Sequence, residues 1–185
     1  MIKPKPHFET VALAHLDAAY NLARWLLRDQ HAAQDVVQEA YLRALKYYDT
    51  FRGGDIRPWL LSIVRNTCYT WLKQRSLRKG DVEFDEENDS ESFVAMYEIP
   101  ENNPEVLLLK KQEGEQVNQA ISGLPVTFRE VLILREIEGM SYEDIATVTN
   151  IPLGTVMSRL SRARAMLRIS LKNKNPIERT PDGQR

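Results

Sequence analysis

A chain of 185 residues has room for one ordinary domain or two small helical ones, and its hydrophobic share of 43% lies slightly below that of an ordinary globular protein. The 25 Lys+Arg against 26 Asp+Glu leave a formal net charge of −1, which taken whole argues against a nucleic-acid binder. The single cysteine, Cys68, excludes an intramolecular disulfide, and the lack of a signal-peptide core or a bilayer-length apolar run points to a soluble intracellular protein.

One helix is predicted from about Phe8 to Leu27, because Phe8, Val11, Leu13, Leu16, Ala19, Tyr20, Ala23, Leu26 and Leu27 recur at helical spacing. Arg28 to His31 interrupts it, with Asp29 placed to cap the next helix. That second helix is predicted from about Ala32 to Tyr48, burying Val36, Val37, Ala40, Tyr41, Ala44 and Leu45. Asp35, Gln38, Glu39, Leu42 and Arg43 form a separate stripe on it; taken alone, such a stripe reads as plain solvent exposure.

Phe51-Arg52-Gly53-Gly54-Asp55 is a turn by composition, and Ile56-Arg57-Pro58 leads into a third helix, Trp59 to about Arg78. Leu60, Ile63, Val64, Thr67, Cys68 and Leu72 are its expected interior, with Cys68 a small core residue rather than a reactive thiol. The remainder mixes rings with cations: Trp59, Arg65, Asn66, Tyr69, Thr70, Trp71, Lys73, Arg75, Arg78 and Lys79. Flat rings give unstacked bases a platform, cations follow phosphates, and an asparagine amide hydrogen-bonds a base edge. For Trp59 and Trp71 the alternative of ordinary core aromatics stays open.

From Asp81 to Glu105 the chain is acidic throughout, without a Lys or Arg, which reads as a flexible linker and leaves both flanking segments net positive. A second helical domain then begins. Val106, Leu107, Leu109, Val117, Ala120 and Ile121 mark its first helix, ended by Ser122-Gly123. Leu124-Pro125 opens the next, with Phe128, Val131, Leu132, Leu134 and Ile137 inside and Gly139 as its stop. Ser141 and Asp144 then make a capping-box-like start for a short helix carrying Ile145, Ala146 and Thr149. Asn150-Ile151-Pro152 breaks it and opens a further helix, in which Val156, Leu160, Ala163 and Leu167 share one stripe. Ser158, Ser161, Arg162, Ala165 and Arg168 lie opposite, and Arg159 and Arg164 flank. A small-faced basic helix with an apolar back, set after a capped helix and a short turn, is the pattern of a helix-turn-helix that enters the DNA major groove.

The expected fold is therefore all-α: a helical domain over 1–80, an acidic flexible linker over 81–104, a helix-turn-helix domain over 105–172 and a polar tail over 173–185. His7, His15 and His31 lack partners at metal spacing, and no phosphate loop or nucleophile elbow occurs, so no enzyme activity, metal or cofactor is expected. A stand-alone helix-turn-helix regulator is one reading of this layout, but it would leave the aromatic-basic helix and the Asp35–Arg43 stripe without a task.

The runs DVVQEAYLRALKYYDTFRGG, PWLLSIVRNTCYTWLKQRS and LPVTFREVLILREIEGMSYEDIATVTNIPLGTVMSRLSRARAML, in that order, resemble bacterial sigma-70 family factors of the short extracytoplasmic-function group. The likeness covers about Phe8 to Leu171 and implies roles for each segment. It implies that Asp35, Gln38, Glu39, Leu42 and Arg43 dock on the β′ clamp helices of core RNA polymerase, against the solvent-exposure reading of that stripe. It implies that Asp55, Ile56, Arg57, Trp59, Arg65, Asn66, Tyr69, Lys73 and Arg75 melt and read the −10 promoter element, with Asn66 beside a flipped base and the loop Asp55 to Trp59 walling its pocket. It implies −35 contacts through Thr155, Met157, Ser158, Arg159, Ser161 and Arg162, with Arg159 and Arg164 serving packing or phosphate positioning. Many relatives carry a basic residue at the position of Met157, and a thioether donates nothing to guanine, so one −35 contact must differ. The resemblance also implies the β flap of polymerase, promoter DNA and an anti-sigma factor as partners, no membrane insertion, a bacterial cytoplasmic location with nucleoid association when active, and a linker that threads the RNA channel of the holoenzyme.

Overall fold

The computed structural model describes residues 7–79 and 114–174, all helix or connecting turn. The acidic stretch, together with Val106, Leu107 and Leu109, lies outside the described residues, as does the predicted polar tail beyond Lys174, its first two residues belonging to the last helix. No helix among those described is long and apolar enough to cross a membrane.

The expected first helix is broken. An α-helix α1, Phe8–Ala12, runs into a 3₁₀ turn over Leu13–His15 before α2, Leu16–Leu27. Tightening to three residues per turn shifts the register. Ala12 becomes buried, whereas Leu13 and Leu16 are 61% and 40% exposed and leave the predicted stripe. Arg28 closes α2 in the left-handed conformation, its amide donating to the Arg24 carbonyl at 2.9 Å.

Asp29 caps α3, Gln30–Tyr47, accepting from the Ala32 amide at 3.0 Å. The helix thus starts two residues before the predicted Ala32. Its predicted interior holds at Val36, Val37, Ala40 and Ala44 but not at Leu45, which is 51% exposed. Helix α4, Ile56–Lys79, begins before Pro58, because the Asp55 carboxylate accepts from the Arg57 amide at 2.9 Å. Pro58 then sits in the first turn, where a missing N–H costs nothing. Helix α4 packs against α2 and α3 on one side and against the later helix-turn-helix on the other. Leu60, Leu61, Val64, Thr67, Cys68 and Leu72 are accordingly buried.

In the second half, a helix α5 over 114–122 is followed by α6, Val126–Leu132, which continues as a π turn over Ile133–Ile137. Arg129, 1% exposed, donates to the Ser122 and Leu124 carbonyls at 2.7 and 3.3 Å and so pins the α5–α6 turn. The π turn swings Ile137 outward to 38% exposure, against its predicted interior place. Gly139, at φ 64, stops the helix as expected, and the Met140 amide donates back to Leu134. Helices α7, Tyr142–Thr149, and α8, Leu153–Lys174, meet at Asn150, whose φ of 54 makes the tight turn. Ser141 caps α7 by accepting from the Asp144 amide at 3.0 Å. The Asp144 carboxylate, however, receives the Ser141 hydroxyl rather than closing back on the Ser141 amide.

The largest core is continuous between the halves: Leu61, Val64, Cys68 and Leu72 of α4 join Val131, Leu134, Met140, Ile145, Val148, Val156 and Leu160. Trp25 of α2, 3% exposed, lies in the cluster built by Ile121, Leu124, Leu132, Ile133 and Ala163.

Candidate nucleic-acid interface

Helix α8 has the two faces its sequence predicts. Val156, Leu160 and Ala163 are buried against α6 and α7, and Leu167 is half-buried. Ser158, Ser161, Arg162, Ala165 and Arg168 line the opposite side, where Ser158, Ser161 and Arg162 are exposed and Met157 is 47% exposed. Thr155 is half-buried and accepts the Ser158 hydroxyl on its carbonyl at 3.1 Å, so Ser158 is satisfied locally while remaining accessible. Arg164 is held by Glu136 at 2.6 and 3.0 Å, which keeps that guanidinium above its usual range. A short capped helix, a left-handed turn residue and a second helix with small polar residues outward has the dimensions that fit a major groove.

Helix α4 presents the second surface. Asn66 is exposed, with its side chain free of any intramolecular hydrogen bond among the described residues, and Lys73 is exposed as well. Arg75 lies over the Trp71 ring at 5.2 Å. Trp59 stacks obliquely on Phe51 at 5.2 Å and tilts toward Tyr48 at 6.4 Å, in a cluster with Phe8, Ala44 and Leu60. Trp71 is half-buried against the main core. Both tryptophans therefore pack on one edge and show the other. Asp55 is exposed at the loop, but Ile56 is only 8% exposed and faces the core. An α4 that starts at Ile56 turns this side chain inward, so Ile56 supports the loop rather than lining a pocket.

Three predicted site residues are occupied by the second half of the chain. Arg57 donates to the Glu138 carbonyl and carboxylate, both at 2.8 Å, and Asn21 donates to the same side chain at 3.3 Å. Arg65 forms a two-pronged pair with Glu130, at 2.8 and 3.2 Å, and lies over the Tyr69 ring at 4.1 Å. The Tyr69 hydroxyl donates to the same Glu130 at 2.9 Å, and Arg159 of α8 reaches it at 3.5 Å. Glu130 itself is fully buried. Burial raises its carboxyl above the ordinary range, and the Arg65, Tyr69 and Arg159 donors oppose that rise. Sequence reasoning missed Glu130. Its signal was present, since Thr127, Glu130, Val131 and Leu134 share one helical stripe and Glu130 holds a core position in it.

The stripe on α3 is exposed along its whole length: Asp35, Gln38, Glu39, Leu42 and Arg43, with Leu42 at 69%. Glu39 and Arg43 pair across one turn. Leu42 thus stands exposed between charged neighbours, on a helix whose opposite face is buried.

Residues 11–78 match the family model described as sigma-70 region 2, and residues 114–167 match that described as sigma-70 region 4. The RNA polymerase sigma-H factor of Pseudomonas aeruginosa is 38% identical over 162 residues, spanning 86% of this chain and 83% of that protein. The ECF RNA polymerase sigma-E factor of Escherichia coli is 41% identical over 133 residues, spanning 70% and 69%. Among solved structures, the sigma factor RpoE of Bartonella quintana, crystallised with the anti-sigma factor NepR, superposes with a TM-score of 0.71 at 28% identity, covering 91% of this chain and 98% of that one. CnrH, solved with the cytosolic domain of CnrY, gives a TM-score of 0.62 at 24% identity and shares the fold.

Proposed function

This chain belongs to the sigma-70 family, in its extracytoplasmic-function group, and on that footing we propose that it directs core RNA polymerase to promoters by reading a −35 element and melting a −10 element. The observation that carries the proposal is the pairing of two surfaces in one chain: the small polar face of α8 and the Asn66-bearing face of α4. Neither surface alone accounts for both steps of initiation.

In this proposal Ser158, Ser161 and Arg162 contact −35 base edges, Thr155 and Met157 flank them, and Arg159 positions phosphate. Arg57, Trp59, Arg65, Asn66, Tyr69, Lys73 and Arg75 hold the melted −10 strand. Extruding one base costs a few kcal/mol, so a pocket that offsets this for one base makes melting selective. The exposed α3 stripe docks on the β′ clamp helices, and the second helical group docks on the β flap. The domains are 1–80 and 105–172, joined by the linker 81–104, whose acids follow the basic channel prepared for RNA. An anti-sigma factor holds the protein inactive, by analogy with the complex of the Bartonella protein. The protein breaks no bonds, needs no cofactor, and works in the bacterial cytoplasm at the nucleoid.

Gel retardation on promoter duplexes tests this against the stand-alone regulator. A shift that requires core polymerase supports the proposal. Tight, specific binding of the chain alone to duplex DNA overturns it in favour of a repressor.

A further inference from the structure

We propose that the N-terminal half of α8 reads an A·T pair, with Leu153 and Met157 holding the thymine methyl and Ser158 accepting from the adenine amine. The inference deepens the −35 reading proposed above and rests on it.

Helix α8 carries Arg159, Arg162, Arg164 and Arg168 and no carboxylate, so its exposed side suits a polyanion. Its buried stripe runs through Val156, Leu160 and Ala163. Leu153 and Met157 are apolar as well, yet they fall outside that stripe and are 37% and 47% exposed. Neither belongs to the buried clusters that hold the helix to its neighbours. Residues four apart on a helix are neighbours, so the two form one apolar ridge on the face that carries Ser158 and Arg162. Within a major groove one base group is apolar, the thymine 5-methyl, and it is the partner that fits such a ridge.

The adjoining ridge is polar and consists of Gly154, Ser158 and Arg162, all exposed. The Ser158 hydroxyl donates its proton to the Thr155 carbonyl at 3.1 Å. A hydroxyl has one proton and two lone pairs, so Ser158 meets the groove as an acceptor. Adenine and cytosine present an amino donor there, whereas guanine presents acceptors only. Ser158 therefore admits adenine or cytosine and rejects guanine. The apolar ridge decides between these two, since the partner of adenine carries a methyl and neither base of a C·G pair does. At Gly154 an added Cβ would meet nothing within 4 Å, so the turn before Ser158 is bare and a base edge can come close to the backbone. Arg162, one turn beyond Ser158, is the donor of this ridge, and arginine takes guanine N7 and O6 together. Side chains a turn apart are separated by about 6 Å and successive bases by about 3.4 Å, which puts a guanine within about two base pairs of the A·T pair.

The test uses holoenzyme assembled from core polymerase and the full-length chain, on a promoter that it selects from a library randomised across the −35 element. Deoxyuridine then replaces thymine one position at a time, which removes the methyl and keeps every hydrogen bond of the pair. One position should lose binding by about fourfold, the effect of burying one methyl. Met157→Ala should abolish the preference for thymine over uracil at that position, and Met157→Leu should retain it. A merely structural loss would lower binding to both templates alike. Unsubstituted purine in place of the paired adenine, which removes the amine, should weaken the wild type more than Ser158→Ala, and an equal loss overturns the Ser158 contact. Met157 and Ser158 are exposed, so these substitutions leave the buried stripe of α8 untouched, and the uracil scan of the wild type needs no variant. A selected −35 element without thymine, or holoenzyme indifferent to uracil at each one, overturns the proposal. So does a thymine preference that Met157→Ala leaves whole. Holoenzyme that selects no promoter at all sinks the functional reading beneath it instead.

Discussion

Replacing Leu160 by alanine should weaken the helix-turn-helix without touching its outward face. Leu160 is 1% exposed and packs with Val131, Leu134, Ile145, Val148 and Val156, at the point where α8 crosses α6 and α7. Truncation deletes three buried carbons, about 2.4 kcal/mol at roughly 0.8 kcal/mol per methylene. The cavity left behind adds to this, in proportion to how little α7 can settle into it, for a total of about 3 to 4 kcal/mol. Set against a typical domain stability of about 5 to 15 kcal/mol, that is a large fraction. The comparison variant is Leu42→Ala, at a leucine that is 69% exposed, where a change within about 0.5 kcal/mol is expected. Urea unfolding followed by circular dichroism measures both. A Leu160→Ala loss below about 1 kcal/mol, or one equal to that of Leu42→Ala, refutes the assignment of Leu160 to the core that carries the reading helix.

Leu42→Ala, though neutral for stability, should weaken binding to core polymerase several-fold in a direct binding assay, and unchanged affinity would remove α3 from the docking surface. Met157→Arg restores a donor able to pair with guanine, so it should shift −35 preference toward guanine at one position in a promoter selection; an unchanged preference places the contact elsewhere. Asn66→Ala should lower −10 selectivity while leaving duplex −35 binding by the holoenzyme intact, as read by permanganate reactivity of the melted strand. The Tyr41 hydroxyl donates to the Ala12 carbonyl at 2.9 Å, and burial, helped by the charge of Asp17, pushes it up to about 12. Because the fold favours the protonated phenol, its stabilising effect is whole below about pH 10, the ordinary tyrosine value, and is lost as pH rises from there toward 12. Absorbance titration at alkaline pH should lose a tyrosine step near pH 12 in Tyr41→Phe, and an unaltered titration contradicts the burial.

Much of this was legible from spacing. The apolar back and small polar front of α8 follow from residue order alone, as do the Asp29 and Ser141 caps and the Gly139 stop. Local signals failed where distant packing decides. Nothing near Leu13 announces a 3₁₀ turn, yet that turn exposes Leu13 and Leu16. The π turn after Leu132 likewise carries no local marker and displaces Ile137. Trp25 escapes a reading by spacing because it is buried among helices from the other half of the chain, beyond the reach of a single helical repeat. The same holds for the site: the faces of α3, α4 and α8 can be read singly, but the capture of Arg65 and Arg159 by Glu130 is a property of their meeting.

Run-off transcription by core polymerase supplied with this chain, over a library of randomised promoters, tests the central claim most directly. Transcripts should arise only when the chain is present and should enrich two short sequence elements at a fixed spacing, one upstream and one at the melted start region. Core polymerase that gives no more transcript with the chain than without it, on every template in the library, would contradict the account.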